Sequence, residues 1–400
     1  MSVLVLSKKP VRQRPVDEWL AGAPVSLVTV TGAVDESVVD RFAEVVAVDD
    51  YGSWQVEIEA ERLAARRAAE LVASSSEVDV VRAARLRERL GLTGQSVASA
   101  IAYRDKLVMK RYARAAGIAV PEFAAVETPG DLVAFAEVHG FPVVVKPRRG
   151  GGSEGVHVLR SAADLVSLLG CGVLPAAPAR PGEWMAESFV DGVLCHVDGL
   201  AAGGRILHCW PSRYSGGNAE AVRDGVPLTS AMLAPQDGSF LPLLDHAAAV
   251  LDALPHFPLP TSFHLEAWLP HDGGAPVLCE AASRTGGAFV ADVYAAAFGV
   301  HLSKENLRGQ AGLPVSAVPA VPVRYGGWVA ITPRQGTFTP PAEPCPVPGV
   351  RLELTGVRGT GAVHAGDSVA TVVVEGADAA QVRERISAAV RWWDAMEPWR

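Results

Sequence analysis

The chain has 400 residues, 49% hydrophobic and 20% charged, which suits two or three packed subdomains and excludes a disordered or fibrous protein. A net charge of −8 and a pI near 5.7 exclude a general binder of nucleic acid or anionic membrane, so the expected partners are small molecules. The five cysteines (Cys171, Cys195, Cys209, Cys279, Cys345) form no C-x-x-C pair, the first residues do not read as a secretory signal, and no apolar run reaches membrane-spanning length. Reduced thiols and a cytoplasmic location are the expectation.

Residues 1–100 alternate strand-like and helix-like stretches. Strands are predicted at 3–6, 24–30 and 44–48, with helices at 36–43, 56–73 and 79–90, the last closed by Gly91. This is the pattern of a small open parallel sheet, a domain that often supports substrate binding at its strand ends. The first strand ends in Ser7-Lys8-Lys9-Pro10 without a glycine fingerprint, so no dinucleotide is expected there.

From Tyr103 the signals sharpen. Arg104-Asp105-Lys106 opens a helix to residue 116 that Gly117 caps, and Pro129 opens another that ends at Gly140. A buried strand at 141–147 carries Lys146 near its end and runs into Arg148-Arg149-Gly150-Gly151-Gly152-Ser153-Glu154-Gly155. Gly150, Gly152 and Gly155 satisfy G-x-G-x-x-G, yet residues 156–159 form another strand, with no helix to receive a pyrophosphate. A Walker A loop fails as well, because no Lys-Ser or Lys-Thr follows the glycines. Strand, glycine loop and strand together make a flap whose amides close over nucleotide phosphates, with Lys146 as a phosphate contact. The pattern favours ATP over NAD.

A capped helix at 161–169 and a loop at 171–181 lead to a strand at 184–190 that carries Glu187 into Asp191-Gly192. A long strand pair follows, 193–201 and 205–210, joined at Gly203-Gly204. The bend before it is a candidate adenine hinge. Residues 211–238 read as a loop-rich insert with Arg213, Tyr214 and Arg223 near Trp210, and a helix is predicted at 245–254.

The stretch from Phe263 to Gly287 reads as a hairpin turning at His271-Asp272-Gly273-Gly274, with Glu266 in one strand and Glu280 in the other. Folding about Gly273 places the two carboxylates side by side, which is unfavourable unless something positive lies between them. Either the register slips and each glutamate faces water, or the pair holds a divalent cation; hard carboxylate oxygens beside substrate phosphates suit Mg²⁺. Arg284 and Thr285-Gly286-Gly287 follow, a guanidinium and an approachable backbone suited to an anionic reacting group. Beyond a helix at 288–298, residues 323–400 read as short strands, a glycine-rich turn at 356–361, a strand at 368–374 and a final helix. They are expected to form a small mixed sheet, with Trp392, Trp393 and Trp399 in packing roles.

With Arg104-Asp105-Lys106, Val143-Val144-Val145-Lys146-Pro147, the glycine flap, Glu187-Ser188-Phe189-Val190-Asp191-Gly192, Glu266 and Glu280-Ala281-Ala282-Ser283-Arg284 in order, the chain resembles an ATP-grasp enzyme. It looks most like the carboxylate-amine ligases that include bacterial L-amino-acid ligases, over residues 75–300. The resemblance implies an α/β (α+β) protein: an N-terminal open parallel domain over 1–100, a two-subdomain ATP-grasp unit over 101–310 with its flap subdomain at about 120–190, and a closing subdomain over 311–400. It implies that Lys106 and Lys146 contact ATP phosphates under Gly150, Gly151, Gly152, Ser153 and Gly155. Glu187, Phe189 and Val190 would meet adenine. Glu266 and Glu280 would hold Mg²⁺, with Mn²⁺ as an alternative, and Arg284 would steady an acyl phosphate, making Arg284, Glu280 and Lys146 the catalytic set. The implied reaction joins a carboxylate, such as an amino acid, to an amine, releasing ADP and phosphate. His196, Trp210, Arg213, Tyr214, Ser283, Arg284, Gly286, Gly287 and Phe289 are the substrate-pocket candidates. Analogy implies a homodimer. Two positions depart from the family pattern: Ala282 replaces an Asn, and Leu194 stands where a ribose-binding acid is usual. An ATP-grasp carboxylase or kinase, or a non-catalytic ATP-binding regulator, are the alternatives.

Overall fold

The computed structural model describes residues 1–172, 183–216, 225–334, 337–354, 368–396 and 398. Its first unit is built on β1 (Val3–Leu6), a run of four apolar residues buried on both faces. β2 (Val25–Val30), β3 (Glu44–Val48) and β4 (Leu71–Ser74) join it in a parallel sheet of order β3-β2-β1-β4. β4 lies where sequence periodicity extends one long helix. That helix covers only Gln55–Arg66; Ala68 then takes φ 48°, and Leu71, freed from the helix, pairs with Val3 of β1. The helix expected at 36–43 is likewise a single turn, Glu36–Val39. Helix Val80–Leu90 ends as expected at Gly91, whose φ of 67° suits a residue without Cβ.

A second, antiparallel sheet carries the flap. β5 (Phe123–Val126), β6 (Val143–Pro147), β7 (His157–Leu159) and β8 (Trp184–Ser188) run in the order β5-β8-β6-β7. Helix Pro129–His139, started by a Thr128–Asp131 capping box, and helix Ala162–Gly170, capped by Ser161, cover one face. Leu132, Phe135, Leu165 and Leu168 meet Val143 and Val145 in its core, so the glycine loop between β6 and β7 hangs from a rigid platform.

The third sheet has eight antiparallel strands: β9 (Gly192–Ala202), β10 (Arg205–Ser215), β11 (Leu228–Met232), β12 (Thr261–Pro270), β13 (Val277–Ala282), β14 (Tyr325–Ile331), β15 (Val350–Leu354) and β16 (Ala370–Gly376). Their order is β13-β12-β9-β10-β11-β14-β16-β15. The insert expected as loop is in large part strand: β10 continues through Arg213 and Tyr214 and pairs with β11. The C-terminal strands, expected as a small mixed sheet, are antiparallel and prolong this sheet through the β11–β14 pairing. Helix Ala379–Ala395 closes that end and buries Trp393, while Trp392 packs partly buried beside it. Arg223, the 356–361 turn, Trp399 and nearly all of the 171–181 loop lie outside the described residues. Among the described residues no helix is long and apolar enough to cross a membrane.

β9 lies between β12 and β10, and Gly199 marks where the backbones crowd. A Cβ there would sit 2.1 Å from the His208 carbonyl oxygen and 2.8 Å from Cys209 Cα, next to the irregularity between Ile206 and His208. Gly199→Ala should therefore cost about 1–3 kcal/mol of stability by overpacking, read as a lower urea midpoint at unchanged m-value.

Candidate active site

The β12–β13 register sets Glu266 directly opposite Glu280, and the next pair is Ala267 with Leu278. Cys279 is thus the extra residue of a β-bulge. The bulge turns Cys279 and Glu280 toward the same cleft instead of to opposite faces. The two carboxylates are held by different means. Tyr214 donates to Glu266 Oε1 at 2.9 Å, with His264 Nε2 3.4 Å away, while Lys106 Nζ lies 2.7 Å from Glu280 Oε2. Burial pushes the Glu280 carboxyl up, but Lys106 foremost, then Lys146 and Arg284, bring it down to about 2. Glu280 is therefore ionised at neutral pH. Burial pushes the Cys279 thiol up to about 12, so it is no thiolate nucleophile. Two facing carboxylates offer the hard oxygen donors that Mg²⁺ prefers and leave room for substrate oxygens, so these residues fit the metal expected from sequence.

Lys106 opens helix Lys106–Ala115 behind Asp105, whose side chain accepts from the Leu107 and Val108 amides. Its ammonium also donates to the Gly150 carbonyl at 2.7 Å and so ties the flap to the carboxylates. Lys146, on β6, pairs with Glu187 Oε2 at 2.7 Å. Burial works to lower its ammonium, but Glu187, with Cys279 and Glu280, raises it above the ordinary lysine value. Lys110, one helical turn after Lys106, is fully buried. Its Nζ lies 3.3 Å from Glu187 Oε1 and donates to the carbonyls of Leu278 and Cys279 at 2.8 and 2.9 Å. The Glu187 side chain is thus a counter-ion clamped between two lysines, while the residue lines the cavity beside Phe189 and Val190. Sequence reading missed Lys110, although the i, i+4 spacing from Lys106 put it on the same helix face.

Arg284 reaches across to the N-terminal unit, where its Nε and Nη2 donate to Glu77 Oε2 at 2.9 and 2.6 Å. Glu77 Oε1 accepts from Arg104 at 3.1 Å. Burial would lower the guanidinium, but Glu77, then Glu280 and Glu266, raise it. Glu77 carries no local sequence signal; it follows β4 in a short turn, 207 residues from Arg284. Glu77, Lys106, Lys146, Glu187, Glu266, Glu280 and Arg284 line a cavity of about 1010 Å³, together with Gly150, Gly151, Gly152, Ser153, Phe189 and Val190. Gly155 borders the flap with φ 69° and packs against Pro147.

The substrate-pocket candidates divide. Tyr214, Arg284, Gly286 and Gly287 line the cavity. Gly286 has no alternative, since a Cβ there would meet Asp198 Oδ1 at 2.6 Å and His264 Nδ1 at 2.8 Å. The other five do not line it. His196 is buried, bonded through Nδ1 to Asp198 and through Nε2 to Ser230 Oγ at 2.7 Å. Trp210 donates to the Leu233 carbonyl at 3.0 Å, and Arg213 to Asp237 and Ser239, each at 3.0 Å. Ser283 donates to Gln95 at 3.1 Å, and Phe289 packs partly buried against the hydrophobic core. Each spends its polar group or its ring on the protein. Leu194 does line the cavity, and Asp191, three positions earlier, lines it too.

The buried Lys110–Glu187–Lys146 group yields a test. Lys110→Met strips one counter-ion from a buried carboxylate and should lower stability by about 3 kcal/mol; adding Glu187→Gln should return part of that loss, measured by a double-mutant cycle in urea.

A sequence model of the carbamoyl-phosphate synthase L chain, ATP binding domain, matches residues 105–192, which span Lys106, the flap and Glu187. The L-arginine-specific L-amino acid ligase of Bacillus subtilis is 27% identical over 247 residues, covering 59% of this chain and 56% of that protein. A D-alanine–D-alanine ligase of Cupriavidus necator is 33% identical over 109 residues, 27% of this chain and 32% of the relative. The chain thus matches little more than half the length of the first and about a third of the second. In three dimensions it superposes on L-amino acid ligase from Bacillus licheniformis with a TM-score of 0.73 at 17% identity, covering 99% of this chain and 97% of that one. An ADP complex of N5-carboxyaminoimidazole ribonucleotide synthetase gives 0.72 at 14% identity, covering 99% and 98%. Residues 105–192 thus match an ATP-grasp ATP-binding domain, and nearly the whole chain shares the fold of these ligases, with the flap, the lysines and the facing glutamates set around one cleft.

Proposed function

We propose that the chain is an ATP-dependent carboxylate-amine ligase that works through an acyl phosphate. The observation that carries this reading is the set of opposed charges around one cleft: Glu266 facing Glu280 on one side, Lys106, Lys146 and Arg284 around them, and the glycine flap above. The relatives named as amino-acid and D-alanine ligases support it.

In this reading the triphosphate lies under the flap, with Lys106 and Lys146 as its phosphate contacts. Both lysines are paired with carboxylates in the structure, so phosphate oxygens would share them with Glu280 and Glu187. A carboxylate oxygen of the acid attacks the γ-phosphorus in line, the bond to the β-phosphate oxygen breaks and ADP leaves. The amine then attacks the acyl carbon, and phosphate departs with the C–O electron pair. Glu266 and Glu280 would hold a divalent cation, which would supply charge neutralisation at the transferring phosphoryl group. Arg284, oriented by Glu77, stabilises the negative charge that develops on the acyl phosphate and on the tetrahedral intermediate. The closed flap keeps water from the acyl phosphate.

Incubation with ATP, Mg²⁺, hydroxylamine and a panel of carboxylic and amino acids should yield ADP with a hydroxamate of one acid. AMP with pyrophosphate would overturn the mechanism, and ADP formed with bicarbonate alone would turn the assignment to a carboxylase. Arg284→Met should lower kcat by about 10²- to 10³-fold with little change in the KM for ATP, since its work is done in the transition state. Glu280→Gln should weaken metal-dependent nucleotide binding, read as a higher Mg²⁺ requirement for protection of the protein by ATP against thermal unfolding.

A further inference from the structure

The cavity has a second cationic wall that phosphoryl transfer does not use. Lys8 and Lys9, just after β1, and Arg14, a few residues on, line the same cavity as Arg284 but belong to the N-terminal unit. Among the described residues none of the three makes a direct ion pair with a carboxylate, although the charge of Lys8 acts on Asp79. The Arg14 guanidinium donates to the backbone carbonyl of Ser75; Glu77, which lines the same cavity, is taken by Arg284 and Arg104, and Asp79 is bonded to Tyr51 and Arg82. The positive groups oppose one another. Burial, then Arg284, brings Arg14 down to about 10, and burial, then Arg14 and Lys8, lowers Lys9. Like charges gathered at a partly dry surface are relieved by an anion between them.

The nucleotide is poorly suited to be that anion. Its phosphates have Lys106, Lys146 and the flap amides, and its base has the strand-end residues Phe189 and Val190, all of them on the wall of the same cavity. In the ligase reading the nucleotide takes those residues, which leaves Lys9 and Arg14 on the same cavity to the acid or amine. Resting on the ligase reading, we infer that the substrate seated there carries an anionic group that does not react, a carboxylate or a phosphate, received by Lys9 and Arg14. The substrate class is then a dicarboxylic acid, an amino acid presenting a free carboxylate, or a phosphorylated acid or amine. An apolar monocarboxylate is disfavoured, because it would leave the wall unpaired.

The test uses the whole chain saturated with Mg²⁺ and a non-hydrolysable ATP analogue, titrated calorimetrically with glutarate, with inorganic phosphate and with butyrate. Saturable binding of glutarate or phosphate, weakened about tenfold or more by K9Q and by R14Q but kept by R14K, is the expected result, and which of the two binds separates a carboxylate from a phosphate. Equal binding of butyrate, no saturable binding of either anion, or binding that both Gln variants leave untouched would overturn it. Thermal unfolding of each variant excludes a folding defect as the source of a loss. The hydroxamate assay separates the two levels. Anion binding that depends on Lys9 and Arg14, without acyl phosphate from any acid, sinks the ligase reading and spares the wall; acyl phosphate from monocarboxylates, indifferent to K9Q and R14Q, does the reverse.

Discussion

Two carboxylates facing each other across neighbouring strands are the constraint on which the site depends. At a separation of about 5 Å and an effective dielectric near 20, such a pair costs roughly 3 kcal/mol in repulsion. The surrounding chain is arranged to offset that cost. Lys106 meets Glu280 from a helix start, the Tyr214 hydroxyl meets Glu266 from β10, and Arg284 approaches from the end of β13. The regular register of the two strands sets the glutamates on one face, and the bulge just beyond them turns Cys279 into the same cleft. A divalent cation would complete what the side chains begin.

The same charges join the three sheets. Lys106 bridges Glu280 of the large sheet to the flap carbonyl of Gly150, and Arg284 bridges the large sheet to Glu77 of the N-terminal unit. Beneath them Lys110, Lys146 and Glu187 form a nearly dry ionic group spanning the flap sheet, the helix after Asp105 and the carbonyls of β13. Groups of this kind add little net stability, because desolvation cancels most of the attraction, but they fix geometry. Here the geometry fixed is the distance between flap and carboxylates. A nucleotide that competes for Lys106 and Lys146 would also loosen the ties holding the flap, which links binding to closure.

What the sequence revealed follows from how local each signal is. Glu266 and Glu280 were legible because a turn and two alternating strands bring them together within 15 positions, and the flap because strand, glycines and strand are contiguous. β4 was hidden because an alanine-rich helix runs into it without a proline or glycine break, and only pairing with β1 decides its state. β11 was hidden because its partners, β10 and β14, lie on either side of it in the chain, the second about a hundred residues away. Glu77 is the clearest case of a site residue without a local cue, since its role exists only once Arg284 is folded against it. His196, Trp210, Arg213, Ser283 and Phe289 were read as pocket residues from their neighbourhood in sequence. Arg213 alternates with Tyr214 and faces away from the site; His196 and Trp210 share the face of Tyr214 and Glu266 but, like Ser283 and Phe289, are satisfied inside the protein.

The central claim is that a carboxylate oxygen becomes bonded to the γ-phosphorus of ATP. The most direct measurement follows ¹⁸O from a carboxylate-labelled acid into the products in the presence of the amine, by mass spectrometry or ³¹P NMR. The account predicts one labelled oxygen in inorganic phosphate for each amide formed and none in the nucleotide. Label in AMP, or amide formation with unlabelled phosphate, would contradict it.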